Sequence, residues 1–466
     1  MNMIELLKGI GGNMNHLKDF NKNNLPTFYL YAVVALIFGW LYSKIRKIIK
    51  ARKKSLKKSS KKKAEGILFG KEKRKIVHSP SAQEGHIAVF GGSGSGKTSS
   101  LLIPTLRNWK GTFFTIDISG DICDNVTVPN KLVYEPACIS SAPYNIFAPI
   151  DSLSREFDKN EALEQLAYLI MPDAENMSDA SQFFHNEGRK ILTASLIAFY
   201  HQGLDFIDIC EKIIQLSYKD LFFAIDNTRN TKAIQYINSF EGTSEQNTAG
   251  CKQACDSCIK LFGTNDTIKQ TIRRPKKGEN CFSPQILETH NVFVKIEDYK
   301  LKLYAPLLQI ITAQSLDYFS SRSNERNNTI LFCLDEFASL GKMDITDALR
   351  KLRKKHVRIM MITQSMADID LIYGRDERMA MMNNFKFKVV LSADDTDTQE
   401  YFAKLVGQAD TPKKSISRSG KRTTRTTNQV KDYIIPPSEF ARLKEKLILL
   451  SPDGHVILRK NYYFKK

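Results

Sequence analysis

Residues Gly91-Gly92-Ser93-Gly94-Ser95-Gly96-Lys97-Thr98 fit the pattern of a glycine, four residues, a second glycine, lysine and then serine or threonine. Glycines at that spacing let the backbone curl so that several N–H groups point at one anion, and a helix starting there adds its positive end. Lys97 then reaches the β and γ phosphates of a nucleoside triphosphate, and the Thr98 hydroxyl is a ligand for Mg2+. Two acids, Asp335 and Glu336, close a second apolar run, Thr329 to Leu334. Such a site needs one acid to hold the metal through water and another to polarise the attacking water, so Asp335 is assigned to Mg2+ and Glu336 to the general base. Gln364 ends a third apolar run, Arg358 to Thr363, where an amide can touch the γ phosphate or its water; a helix cap is the alternative. Asp117, near the end of Thr112 to Ile118, either supports the metal or shapes the turn with Gly120. Arg350, Arg353 and Arg358 follow the acidic pair, and any of them could enter a neighbouring copy's site as an arginine finger. The expected ligands are ATP and Mg2+.

Chemistry of this kind requires a rigid frame. His86 to Phe90 reads as a buried strand, the glycine loop follows it directly, and Ser99 to Arg107 carries leucines at helical spacing. Thr112–Ile118, Lys131–Tyr134, Val292–Ile296, Thr329–Leu334, Arg358–Thr363 and Phe387–Leu391 are further predicted strands, with His455–Leu458 as an edge strand. Helical stretches lie between several of them, among them Lys300–Tyr318, so the fold class is α/β with a parallel sheet covered on both faces. From about residue 152 to 262 the texture changes. Glu161–Ile170, Phe183–Tyr200, Asp208–Leu216 and Thr231–Ile237 read as helices with no good strand among them, which marks an all-α insert.

The 466 residues are 42% hydrophobic and 26% charged, a globular composition, with a formal net charge of +19. Much of the excess lies between Lys44 and Lys75, where 16 of 32 residues are Lys or Arg. That field suits anionic partners, either lipid headgroups or nucleic acid. Just before it, residues 25–43 form an apolar stretch followed at once by Lys44, Arg46 and Lys47. Cations in that position hold their side in the cytoplasm, so a single transmembrane helix is expected, with the N-terminus outside, the catalytic body cytoplasmic and anionic inner-membrane lipids close by. Residues 1–24 are polar. Eight cysteines in a cytosolic body argue for free thiols. Cys251, Cys255 and Cys258 have the spacing of iron–sulfur ligands in radical enzymes, and equally that of one buried helical stripe, which Ile259, Leu261 and Phe262 favour.

Two basic segments could meet phosphodiesters without sequence preference: Lys413, Lys414, Arg418, Lys421, Arg422 and Arg425 in a loop or flexible hairpin, and Arg273, Arg274, Lys276 and Lys277. Neither is interleaved with aromatics that would form a stacking platform.

From about residue 80 to 463 the chain resembles the type IV secretion coupling proteins, the VirD4/TraG/TraD group of conjugation ATPases. The resemblance rests on LDEFASLGKM from Leu334 to Met343, ITQS from Ile362 to Ser365 with Tyr373-Gly374 after it, Asp117-Ile118-Ser119-Gly120, and Tyr144-Asn145-Ile146-Phe147. It implies a membrane-anchored homohexamer around a central channel. It also implies a RecA-like nucleotide-binding domain, 76–151 with 276–466, and an all-α domain, 152–275, that receives substrate; the charge run already described is the basic juxtamembrane linker, 44–75. An Arg-Lys pair eleven residues before the glutamine carries the family's arginine finger, which here selects Arg353 beside Lys354. The implied partners are a relaxase–DNA complex, single-stranded DNA and the secretion channel. Export of protein without DNA, and a docking scaffold that binds ATP without turning it over, are the readings left beside it.

Overall fold

Four of the predicted strands have every residue buried: His86–Phe90, Thr112–Asp117, Ile330–Leu334 and Val357–Thr363. Strands with no polar face need cover on both sides, which is the setting of a parallel sheet's interior. The computed structural model describes residues 66–79, 85–173, 178–323, 328–419 and 422–465, with backbone alone for 413–419 and 422–428. In chain order the strands are β1 Leu68–Glu72, β2 Lys75–His78, β3 His86–Phe90, β4 Thr112–Asp117, β5 Lys131–Tyr134, β6 Asn291–Lys295, β7 Ile330–Leu334, β8 Val357–Thr363, β9 Phe385–Val390, β10 Gln408–Ser419, β11 Arg422–Tyr433, β12 Lys446–Ser451 and β13 Gly454–Arg459. All but β10 and β11 join one 11-stranded sheet in the order β2-β1-β13-β12-β9-β3-β8-β7-β4-β6-β5. From β9 to β5 neighbouring strands run parallel, and from β9 back to β2 they run antiparallel. The strand that feeds the glycine loop, β3, is thus central, and β8 separates it from β7 with its two acids.

The differences from the sequence expectations lie at the sheet's antiparallel wing. The basic linker expected over 44–75 gives way by Leu68 to sheet, because β1 buries Leu68 and Phe69 while Glu72 is exposed. The strand expected at His455–Leu458 is β13, an interior strand between β12 and β1 rather than an edge. β12 carries the run Leu447, Ile448, Leu449 that completes it. The basic stretch between Asp410 and Val430 is a hairpin of two twelve-residue strands in a sheet of their own. The polar segment 1–24, the apolar stretch 25–43 and the run Lys44–Glu65 lie outside the described residues. Among the described residues, no helix is long and apolar enough to cross a membrane.

Between β5 and β6 the insert is built from Glu156–Ile170, Asp179–His201, Phe206–Gln215, Tyr218–Asp226, Thr231–Asn238, Glu245–Thr264 and Asp266–Thr271. Its helix starts are set locally. Ser178, Ser217, Asn230 and Ser244 each accept a backbone N–H from the first turn of the helix they precede. Asp179–His201 and Glu245–Thr264 form its centre, and they approach closely at Gly188, where an added Cβ would sit 2.6 Å from the Cys251 carbonyl oxygen. Cys251 and Cys255 are fully buried in that contact, so the cysteine stripe is core. Among the described residues, no group of three or more His, Cys, Asp or Glu side chains is arranged to hold a metal. Arg274 joins the insert to the sheet domain: its guanidinium donates to both Asp151 oxygens at 3.0 and 3.1 Å, and its backbone N–H donates to Asp205 at 2.7 Å. Arg273 forms a bidentate pair with Glu279. These two arginines are held by acids of their own chain.

Candidate functional site

The glycine loop leaves β3 and closes on itself through the Ser95 N–H, which donates to the Gly92 carbonyl at 3.2 Å. Gly94 and Gly96 have φ of +72° and +91°, values that disfavour any residue with a Cβ. Gly92 packs under Asp394: a Cβ there would meet a carboxylate oxygen at 2.4 Å and push that side chain aside. Helix begins at Lys97 with a π-type turn, Lys97–Leu102, and continues as Ile103–Asn108, so the expected helix starts two residues early and wider than an α-helix. Leu101, Leu102 and Leu106 anchor it on the sheet, fully buried.

Lys97 is nearly buried, and its ammonium donates to the Gly91 carbonyl at 2.7 Å while lying 3.6 Å from a Glu336 carboxylate oxygen. Glu336 follows β7 and takes a left-handed backbone, φ 46° and ψ 46°, rare for a residue with a side chain. Its other carboxylate oxygen accepts from the Gln364 amide at 3.1 Å. Lys97, Glu336 and Gln364, far apart in sequence, therefore meet at the C-terminal ends of three adjacent strands. Asp335 lies beneath them. Burial is the main reason its carboxyl is pushed up to about 6, with the Glu336 charge adding to the rise and the Lys97 charge opposing it. The Ser95 Oγ and Thr363 Oγ1 atoms, at the loop and at the end of β8, are buried without a hydrogen-bond partner. A cationic end and spare hydroxyls suit a polyphosphate, and the Thr98 hydroxyl and Asp335 carboxylate are the hard oxygen donors that Mg2+ prefers.

Asp117 lies near enough for its charge to add to the rise at Asp335, and it has backbone partners of its own. Its oxygens accept the Gly120 and Cys123 N–H groups at 2.9 and 2.7 Å, which shapes the turn after β4. Sequence reasoning missed the groups that hold the acidic loop. Tyr373 stacks on Phe337 at 5.4 Å, accepts the Met343 N–H at 3.1 Å and donates to the Gly341 carbonyl at 3.3 Å. Gln309 donates to the Leu340 carbonyl at 2.7 Å. The pairing of LDEFASLGKM with a later Tyr-Gly was the available signal, and the structure supplies its reason: the tyrosine clamps the loop that follows the acids.

Arg353 is placed apart from this cluster. It precedes the N-terminal end of β8, whereas Gln364 follows the C-terminal end. At about 3.3 Å per residue, seven strand residues separate them by roughly 23 Å. There Arg353 lines a 480 Å³ cleft with Arg350, Lys354, Asn383, Asn384 and Lys386. Of the hairpin cations, Lys413, Lys414 and Arg418 lie on β10, Arg422 and Arg425 lie on β11, and Lys421 is outside the described residues.

A central strand, a glycine loop opening a helix, and an acid pair two strands away with a polar strand end between them define a RecA-like P-loop nucleotide-hydrolase fold carrying an inserted all-α region. The chain belongs to the type IV secretory system conjugative DNA transfer family, whose model matches residues 41–466. It is 25% identical over 393 residues to the probable conjugal transfer protein TraG of Sinorhizobium fredii, covering 80% of this chain and 61% of that one. It is 22% identical over 413 residues to protein VirD4 of Agrobacterium fabrum, covering 82% and 59%. The chain thus spans about three fifths of the length of these relatives. Among solved structures, the unbound monoclinic form of the bacterial conjugative coupling protein TrwBdeltaN70 superposes with a TM-score of 0.65 at 19% identity, covering 82% of this chain and 85% of that one. TrwB in complex with the ATP analogue ADPNP gives 0.67 at 19% identity, with 88% and 92% covered.

Proposed function

We propose that this chain is a membrane-anchored coupling ATPase that delivers a relaxase–DNA substrate to a type IV secretion channel. The observation that carries the reading is the meeting of Lys97, Glu336 and Gln364 above Asp335 at the mouth of the glycine loop. The Lys97 ammonium exchanges its contacts with Gly91 and Glu336 for the β and γ phosphates. That frees the Glu336 carboxylate to accept a proton from the attacking water, which the Gln364 amide orients. Thr98 and Asp335 would hold Mg2+, which supplies charge neutralisation on the phosphate oxygens. The likeness to TrwB, solved in complex with ADP and Mg2+, supports ATP and Mg2+ as the ligands.

The remaining assignments rest on the family. Residues 25–43 form the anchor in the inner membrane, and the cations from Lys44 onward lie on its anionic lipids. Residues 76–151 and 276–466 are the RecA-like nucleotide-binding domain, to which β1 and β2 add an edge, and 152–275 is the all-α domain that receives substrate. The active form is a homohexamer in which Arg353 enters a neighbour's site. Single-stranded DNA meets the hairpin carrying Lys413, Lys414, Arg418, Lys421, Arg422 and Arg425.

The test is ATP hydrolysis by the full chain in detergent, with and without single-stranded DNA, in wild type and Lys97→Ala. Stimulation by DNA that is lost in Lys97→Ala is the expected result. Hydrolysis indifferent to DNA redirects the reading to protein export, and an absence of hydrolysis in the assembled protein overturns the ATPase.

A further inference from the structure

The catalytic groups all approach the glycine loop from one side. In the sheet order β9-β3-β8-β7, Glu336 and Gln364 belong to strands on the β8 side of β3. The opposite side is occupied by the segment that follows β13. Lys460 is buried there, and its ammonium donates to the Ser95 carbonyl of the loop at 2.7 Å. Three residues on, the Tyr463 N–H donates to the Ser99 carbonyl in the first helical turn at 3.0 Å. Between these two anchors lies Tyr462. Its ring is close enough to Gly96 that an added Cβ would meet Cε1 at 3.1 Å and the hydroxyl at 3.4 Å. The ring is half-buried. Phe464, 60% exposed, lies 5.3 Å from it between ring centroids, and the Lys465 ammonium sits 4.4 Å from its centre.

A triphosphate has two ends, and the loop fixes their directions. The γ end must lie by Lys97, Glu336 and Gln364, because those groups act on it. The nucleoside then leaves over the Gly96–Ser99 turn, away from the acids. An aromatic ring pinned beside Gly96 by hydrogen bonds on both flanks is placed where a planar, weakly polar group emerges. Stacking on a π face is how proteins hold a base without reading its edges.

We infer that Tyr462 is the nucleobase platform of the site, stacking on the purine of ATP while Lys460 and the Tyr463 backbone hold it against the loop. This rests on the proposed nucleotide site and assigns its undescribed half. Tyr462 touches the base, so it acts on binding of the nucleoside and leaves the phosphate contacts to the loop and Lys97.

The experiment uses the full chain in detergent and compares wild type, Tyr462→Phe and Tyr462→Ala, with ATP as substrate and inorganic tripolyphosphate as a competitor that has no base. Tyr462→Ala is expected to raise KM for ATP about tenfold, the size of one lost base stack, with a much smaller change in kcat. Its inhibition constant for tripolyphosphate stays at the wild-type value, and Tyr462→Phe restores the KM. An unchanged KM in Tyr462→Ala overturns the assignment. So does a tripolyphosphate constant that rises in parallel with KM, since Tyr462 would then only be shaping the loop through Gly96. If wild type shows no hydrolysis, the catalytic reading fails separately. Equilibrium binding of a fluorescent ATP, displaced by ATP or by tripolyphosphate, then decides the Tyr462 assignment on the same comparison of variants.

Discussion

His86 begins β3, is fully buried, and uses both ring nitrogens: Nδ1 lies 3.0 Å from the Ile359 N–H, and Nε2 lies 2.9 Å from the Leu349 carbonyl. An N–H can only donate, so Nδ1 is bare and Nε2 carries the hydrogen, which is the neutral ring. Burial holds its pKa down at about 4, against the Leu349 bond and with help from the Arg353 and Arg358 charges. In the unfolded chain the same ring titrates at 6.5. The sign follows: as pH falls below 6.5 the unfolded state takes up a proton that the folded state refuses, so stability is lost downward from 6.5 until about 4. Between pH 7.5 and pH 5 the linkage amounts to about 2 kcal/mol. Asp335 acts in the opposite direction, because its raised carboxyl gains a proton in the folded state first, and that contribution is common to both proteins compared below. Urea unfolding of the unit Ala64–Lys466 at pH 7.5, 6 and 5 would be measured in wild type and in His86→Gln, whose amide can still donate toward Leu349 and does not titrate. Wild type should lose about 2 kcal/mol more than the variant over that range. Parallel pH profiles would refute the reasoning, since His86 would then be charged or exposed in the folded protein.

Two further outcomes are expected, the first from the proposed trans role of Arg353 and the second from packing in the insert. Arg353→Ala should lower hydrolysis by roughly 10³-fold with nucleotide binding retained, and co-assembly with Lys97→Ala should recover activity above the sum of the two. Activity that stays at the sum places the arginine's action within its own chain. Gly188→Ala adds a methyl within 2.6 Å of the Cys251 carbonyl oxygen and forces the two central helices of the insert apart. The strain outweighs the roughly 1 kcal/mol gained in helix propensity, so a net destabilisation on the order of 1 kcal/mol is expected in thermal melts, and an unchanged or higher midpoint contradicts the close approach.

The strands that carry chemistry were legible because each is a continuous apolar run ending at a polar residue. β3 runs into the glycine loop, β7 into the acid pair and β8 into Gln364, so each apolar run stops where the candidate residues begin. β1 and β2 were not legible. Leu68–Glu72 and Lys75–His78 are short, and they sit in a charge-rich stretch whose lysines suggest solvent, although Leu68 and Phe69 point into the core. The helix Glu245–Thr264 was visible only as a cysteine spacing because its mean hydropathy is low and its packing depends on small residues: Gly250 and Gly263 admit Phe184 and Ile214. The role of Asp117 was undecidable from spacing, since both readings put an acid at that strand end. The structure shows the turn contact, through the two backbone N–H groups that Asp117 accepts. Tyr462 was hidden for a different reason. Its value comes from β13 lying on the opposite side of β3 from the acids, and strand order is a property of the whole sheet that no local window contains.

That same sheet order constrains how an arginine can act. Parallel strands put all their C-terminal ends on one edge, and Lys97, Glu336 and Gln364 occupy that edge together. The connection leading into β8 carries Arg353 at the other edge, where Leu349, held by His86, fixes the segment against the start of β3. No rotamer of a single side chain spans roughly 23 Å of strand. If Arg353 meets a γ phosphate, the phosphate must be presented by another molecule, and the cleft it shares with Arg350, Lys354 and Lys386 is cationic enough to receive one. A neutral His86 ties the start of β3 to Leu349 and to Ile359 of β8. Its protonation would remove the acceptor of the Ile359 N–H, so acid weakens the anchoring of the segment that carries Arg353.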